Sequence, residues 1–235
     1  MRVLILAGGF GTRLKSVISN VPKALAPVDN VPFLEYQIVS WIRQGAKHIT
    51  MLLHHESAQM ITFLKKKKCQ LDESITLDWI VESEPLGTGG AVRHAILQGK
   101  IKLPFTVLNA DTWLPLGISA LESAAPQTIV VTWEENVSRY GEVIFGDDRK
   151  VITFEEKKAS KMSGWINTGA IKLDPEFFLG HTKKNNFSLE SEFLAKQAQL
   201  GNLSCIEVNS PFIDIGIPSD FKKIQQWAIK GNLSS

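Results

Sequence analysis

Cysteine is scarce. The 235-residue chain has two, Cys69 and Cys205, with no Cys-x-x-Cys pair. A thiolate metal site and a dithiol redox motif are thereby excluded, and a reducing compartment suits the composition. Long apolar runs are missing as well. The N-terminal run Val3 to Ala7 falls well short of the ~18 residues that a membrane span needs. It is also too short for the core of a signal peptide, and glycines follow at once. These features predict a cytoplasmic protein without a membrane partner. Charge of one sign is barely in excess: 26 Lys and Arg stand against 24 Asp and Glu, a net charge of +2. A nucleic-acid partner calls for a clustered basic face. The one basic run, Lys65 to Lys68, reads as a solvated helix end. No Ser-His-Asp or Cys-His arrangement suggests a nucleophilic side chain.

What is present is a core-forming chain, 44% hydrophobic. Length alone permits one domain or two small ones. With no linker, internal repeat or low-complexity tract, the expectation is one continuous domain over residues 1–235. Its first half, to about residue 126, alternates strand and helix. Val3 to Leu6 is a buried strand, because it is apolar throughout and ends in glycine. Pro32 to Gln44 is a helix, with proline in its first turn and Gly45 at its end. Strands at Ile49–Leu53, Thr76–Val81 and Phe105–Leu108 follow, with helices at Ser57–Lys66 and Gly90–Gln98 between them. This order predicts an α/β fold: a Rossmann-like, mostly parallel mixed sheet with helices on both faces. Ligands bind such sheets outside the carboxyl ends of the strands. The glycine loop after the first strand and Asp111 after the fourth both fall there.

From residue 127 the pattern turns to strands: Ile129–Trp133, Glu142–Phe145, Val151–Phe154 and Ile166–Leu173. Helices at Ser188–Gln199 and Ser219–Lys230 close the chain. This half is expected to fold over the open edge and supply the other wall of a cleft.

The strongest local signal is Leu6-Ala7-Gly8-Gly9-Phe10-Gly11-Thr12-Arg13-Leu14. Glycines let a backbone bend tightly and turn N–H groups toward an anion. Arg13 adds a forked cation suited to phosphate. No Gly-Lys-Ser/Thr follows, so this is not a Walker A loop. Gly9-x-Gly11 lacks the third glycine of a dinucleotide fingerprint. On its own the loop reads either as a phosphate cradle or as a structural turn, and Lys23 as a second clamp or a surface lysine. His54 and His55, adjacent on a strand, point to opposite faces and do not share one ion. They read as structural or surface residues.

The string Leu6 to Leu14, followed by Pro22-Lys23-Ala24-Leu25-Ala26-Pro27-Val28, resembles the signature of the sugar-1-phosphate nucleotidyltransferase family. The likeness continues through Glu84-Pro85-Leu86-Gly87-Thr88-Gly89-Gly90-Ala91, Asp111, Glu156-Lys157, Asn167-Thr168-Gly169 and Asp214-Ile215-Gly216. It therefore covers nearly the whole chain. Phe187 to Glu190 and Phe212 to Pro218 are most similar to members that transfer GMP to heptose 1-phosphate, with mannose 1-phosphate enzymes as near neighbours. Ala110 departs from the family, which commonly has glycine there.

The resemblance implies two partners, a nucleoside triphosphate (GTP favoured) and a sugar 1-phosphate, with Mg²⁺ as cofactor. It implies that Leu6, Ala7, Gly8, Gly9, Gly11, Thr12 and Arg13 hold the triphosphate. Lys23 would grip the α-phosphate and Lys157 the incoming sugar phosphate. Asp111 and Asp214 would bind Mg²⁺, which takes oxygen ligands from one or two carboxylates plus phosphate. The rival role for Asp111 is capping the segment that follows. Glu84 would read guanine, since a carboxylate accepts from N1–H and the N2 amine together, and Gly89 would admit the base or ribose. Gly141, Glu156, Asn167, Gly169 and Glu190 would meet the sugar, with Trp113 and Trp165 lining its pocket. The same string resembles uridylyl and thymidylyl enzymes, so the base stays open.

Two other readings compete. A glycosyltransferase would carry an Asp-x-Asp metal motif, whereas Asp111 is followed by Thr112-Trp113. A non-catalytic nucleotide-sugar binding subunit would not need Arg13, Lys23, Asp111, Lys157 and Asp214 together. The sequence is compatible with a homo-oligomer.

Overall fold

The computed structural model describes the chain except residues 12, 13, 15, 16, 19, 20, 141, 156–162, 234 and 235. The first half runs β1 (Arg2–Leu6), β2 (Pro27–Val28), β3 (Val31–Pro32), α1 (Phe33–Arg43), β4 (His48–Leu53), α2 (Ser57–Lys68), β5 (Thr76–Val81), α3 (Gly87–Ala95), β6 (Phe105–Asn109), β7 (Thr112–Trp113) and α4 (Gly117–Ala120). The second runs β8 (Thr128–Glu134), β9 (Glu142–Phe145), β10 (Val151–Glu155), β11 (Gly164–Leu173), α5 (Pro175–His181), α6 (Ala195–Gln199), β12 (Ser204–Glu207), β13 (Ile213–Asp214) and α7 (Pro218–Ile229).

The sheet path is β10-β9-β11-β6-β1-β4-β5, with β8 beside β11 and β12 beside β8. β1 lies at its centre, parallel to both β4 and β6. Val3, Leu4 and Ile5 have no exposed surface. A strand covered on both faces is apolar without alternation, which is what Val3 to Leu6 displays. One face is filled by Leu34, Ile38 and Trp41 of α1 with Met60 and Leu64 of α2. The other is filled by Val92 and Ala95 of α3, Phe178 of α5, and Phe193 and Leu194 ahead of α6.

The second half does not fold over the sheet edge. β11 pairs antiparallel with β6, Ile171 opposite Val107, so the same sheet continues into it. The sheet is thus parallel through its first half and mixed beyond. Extending it leaves no unpaired edge between the halves and sets their loops along one margin.

The helix expected at Gly90 begins at Gly87. Glycine is a poor helix former, yet tertiary packing selects it here. A Cβ on Gly89 would lie 2.2 Å from the Phe187 ring, and one on Gly90 would lie 2.1 Å from the Asn185 carbonyl. Asp174 caps helix α5, its Oδ1 accepting from Phe177 N at 2.8 Å, with Pro175 in the first turn. Among the described residues no helix is long and apolar enough to cross a membrane.

Candidate active site

A cavity of about 1070 Å³ opens where the carboxyl ends of β1, β4 and β6 meet the loops of the second half. Leu6, Ala7, Gly8, Gly9 and Gly11 form one wall. Ala7 N donates to the Leu52 carbonyl at 3.0 Å, so the chain leaves β1 still tied to β4. A Cβ on Gly8 would sit 3.2 Å from His54 Cβ, and glycine lets the loop press against the end of β4. Gly11 takes a φ of +59° and lies against Lys23 Cβ, a conformation that costs glycine little. Thr12, Arg13, Gly141, Glu156 and Lys157 lie outside the described residues.

Lys23 is set on a tight turn between Pro22 and Ala26, where Ala26 N donates back to the Lys23 carbonyl at 3.1 Å. Its Nζ reaches Asp111 Oδ2 at 2.5 Å and Asp214 Oδ1 at 3.4 Å. The two carboxylates, distant in sequence, are brought together by a two-stranded ribbon. β13 pairs antiparallel with β7, Asp214 opposite Thr112. Ile215 N donates to the Asp111 carbonyl at 3.0 Å. From beneath, the buried amide of Gln37 donates to the Thr112 carbonyl at 2.7 Å. Ala110 takes no positive φ, so an alanine fits where the family commonly has glycine.

Burial raises the Asp214 carboxyl above its ordinary pKa, and the Asp111 charge raises it further. The Lys23 ammonium and the Gly216 N–H, 2.8 Å from Oδ1, oppose the shift. Two hard oxygen donors, one of them penalised as an isolated anion, suit a divalent cation. Among the described residues no three His, Cys, Asp or Glu side chains gather into a metal cluster. A cation here would complete its shell with phosphate and water.

The opposite wall comes from the second half. The pairing of β11 with β8 shifts between Asn167 and Ile171, with Asn167 opposite Val131 and Ile171 opposite Ile129. Such a bulge re-aims side chains, and Asn167, Thr168 and Gly169 line the cavity. Gly169 has φ +81°, and a Cβ there would lie 2.3 Å from Asn109 Nδ2. Glu190 also lines the cavity, its Oε2 accepting from Thr88 Oγ1 at 2.8 Å.

Four of the expected residues lie away from the cavity wall. Glu84 is exposed and is not part of the cavity wall; Glu82, two residues earlier, is buried and is. The strand β5 ends at Val81, so Glu82 turns in under Gly8 while Glu84 is already on the outer turn. Gly89 does not line the cavity; its missing side chain makes room for Phe187. Trp113 is buried in a separate apolar cluster with Leu14, Ile213 and Phe221. Trp165 packs on Trp133 and Phe145. Neither tryptophan reaches the cavity.

Asn109, Arg139 and Tyr140, which no motif marks, also line the cavity, and so does His54, which reads from the sequence as a structural or surface residue. The signal for Tyr140 was its place before Gly141. Burial raises its phenol pKa. His54 Nδ1 lies 3.3 Å from the Glu82 carbonyl. Burial pushes the Glu82 carboxyl up, against an N–H bond from Leu86 and the nearby His54 and His94.

Known proteins match this architecture. The profile of the family described as nucleotidyl transferase matches residues 2–228. The D-glycero-alpha-D-manno-heptose 1-phosphate guanylyltransferase of Campylobacter jejuni subsp. jejuni is 33% identical over 222 residues, covering 94% of this chain and 97% of that protein. The mannose-1-phosphate guanylyltransferase catalytic subunit beta of Danio rerio is 32% identical, covering 94% of this chain and 62% of that protein. The crystal structure of HddC from Yersinia pseudotuberculosis complexed with GMP-PN superposes with a TM-score of 0.79 at 31% identity, covering 96% and 98% of the two chains.

Proposed function

We propose, from the premise that this chain belongs to the nucleotidyl transferase family, that it transfers GMP from GTP to a sugar 1-phosphate and releases pyrophosphate. The favoured acceptor is D-glycero-α-D-manno-heptose 1-phosphate, by likeness to relatives so named. Mannose 1-phosphate is the alternative acceptor, by the parallel likeness to the Danio rerio protein. The observation that carries the reading is one cluster: Lys23 between Asp111 and Asp214, at the glycine-walled end of a cavity large enough for two substrates.

The chemistry needs few side chains. A phosphate monoester has its second pKa near 6, so the acceptor is already mostly dianionic at pH 7 and needs no general base. Its phosphate oxygen attacks the α-phosphorus of GTP. The new P–O bond forms as the bond to the β-phosphate breaks, and pyrophosphate leaves with that electron pair. The difficulty is repulsion between two anions, which is met by positioning and fixed positive charge. The loop amides and Arg13 hold the departing phosphates. Lys23 steadies the α-phosphate, and Lys157 receives the acceptor phosphate. Glu82, rather than Glu84, faces the base. Asn167, Gly169 and Glu190, with Gly141 and Glu156, meet the sugar. Asp111 and Asp214 would hold Mg²⁺, which supplies charge neutralisation for the phosphates. We place the protein in the cytoplasm, where the triphosphate is made and where its free thiols Cys69 and Cys205 stay reduced.

The test is pyrophosphate release from the protein incubated with Mg²⁺, each of four triphosphates and a panel of sugar 1-phosphates. Release that needs both GTP and a heptose or mannose 1-phosphate supports the proposal. Release with no pair points to a binding subunit.

A further inference from the structure

Two segments a hundred residues apart are zipped together beside the cavity. Phe187 N donates to the Leu86 carbonyl at 3.1 Å, and Gly89 N donates to the Phe187 carbonyl at 3.0 Å. Asn186 Nδ2 donates to the Pro85 carbonyl at 2.7 Å. Gly87, Gly89 and Gly90 leave no space for a side chain against this partner. The turn that follows the base-facing Glu82 is thus fused to the segment that carries the sugar-facing Glu190.

Thr88 is the polar link across the seam. Its hydroxyl donates to Glu190 Oε2 at 2.8 Å and accepts from Leu189 N at 2.8 Å. Ser188 Oγ adds a second, longer bond to the same oxygen, 3.3 Å. With Oε2 occupied by two hydroxyls, among the described residues Oε1 is left to accept from a ligand. A glutamate with three side-chain torsions, held at one oxygen, is pre-organised; free, it must be ordered when the ligand binds.

We propose that Thr88 is a positioning residue for the acceptor: it fixes Glu190 to receive a sugar hydroxyl and so ties acceptor recognition to the nucleotide side of the cavity. This rests on the transferase reading above. Losing the hydroxyl leaves Glu190 on the longer Ser188 bond alone, without removing it. The cost falls on acceptor binding, at the scale of one hydrogen bond to a charged group, about tenfold or more.

The experiment is steady-state kinetics of Thr88→Val, Thr88→Ser, Glu190→Gln and the Thr88→Val/Glu190→Gln double variant. Valine keeps the shape and removes both bonds. It should raise KM for the sugar 1-phosphate about tenfold while KM for GTP stays within about twofold, and serine should restore the unaltered value. Because Thr88 acts through Glu190, the double variant should be no worse than Glu190→Gln alone. An unchanged acceptor KM in a folded Thr88→Val protein overturns the inference. So does a parallel rise in both KM values, or additive losses in the double variant. If the unaltered protein transfers no nucleotide to any acceptor, it is the transferase reading that fails. Direct binding of the sugar 1-phosphate, weakened by Thr88→Val and restored by serine, then decides the role of Thr88 separately.

Discussion

The ammonium of Lys23 lies 2.5 Å from Asp111 Oδ2, and Asp214 closes on it from the other side. Lys23 and Asp214 are mostly buried and Asp111 is about one-third exposed, so solvent screens these charges only in part. Lys23→Met should lower kcat/KM by ~10²-fold or more, the scale of removing a preorganised charge stabiliser. It also leaves two facing carboxylates without their cation. The ligand-free variant should therefore melt below the unaltered protein, and millimolar Mg²⁺ should raise its Tm by more than it raises the parent's. Differential scanning fluorimetry with and without Mg²⁺ reads this directly. Equal Mg²⁺ shifts in the two proteins would show that the acids do not share a cation.

Glu82 carries a pH prediction. Burial lifts its folded pKa above the ordinary 4.5, so the fold favours the protonated form. Its contribution to stability is complete below about pH 4.5 and is lost as pH rises through the folded value. At pH 8 the ionised carboxylate is a cost. Glu82→Gln removes the charge, and its amide oxygen still accepts from Leu86 N. The variant should melt higher at pH 8 than the unaltered protein. The gain should fade toward pH 4. Selectivity for GTP over other triphosphates should fall in the same variant. A lower Tm at pH 8 would contradict the assigned direction.

Much of this was legible from the chain, and the failures have a common cause. The strands Thr76–Val81 and Glu142–Phe145 lie where patterning puts them, because period and flanking turns are local signals. The Asp174-Pro175 start of α5 is a local signal as well, a side-chain cap followed by proline. The lost assignments depend on contacts between distant segments. Nothing near Gly89 announces Phe187, and nothing near Glu84 says that the chain turns outward after Glu82. The junction of Asp111 with Asp214 rests on the β7–β13 ribbon and on Gln37, none of which periodicity reveals. The resemblance located both acids, but only the fold supplies the Lys23 contact that joins them.

The two cysteines should behave oppositely. Cys205 is buried in β12, and burial pushes its thiol up to about 11. The thiolate is the reactive form, so at pH 8 this residue is both covered and protonated. Cys69 is exposed at the end of α2. A chromogenic disulfide reagent should consume one thiol per chain at pH 8 and the second only after denaturation. Two rapid equivalents from native protein would mean that β12 does not seal the sheet beside β8.

Glycines of the two classes separate conformational need from simple space. Gly169 combines φ +81° with an Asn109 amide 2.3 Å from where a Cβ would stand. Alanine there costs ~1–2 kcal/mol for the backbone alone, and it pushes Asn109 into the cavity. Gly169→Ala should lower Tm by several degrees. It should also cut kcat/KM at least tenfold, since small misplacements at a reacting centre are costly. Gly180, in α5, has ordinary φ and no atom within 4 Å of its added Cβ. Gly180→Ala should instead stabilise the helix by up to ~1 kcal/mol and leave turnover alone. Thermal melts and pyrophosphate-release kinetics on the two variants, side by side, decide the matter. If Gly169→Ala matches Gly180→Ala in both measurements, the left-handed turn at the end of the β11 bulge is not what shapes the sugar side of the site.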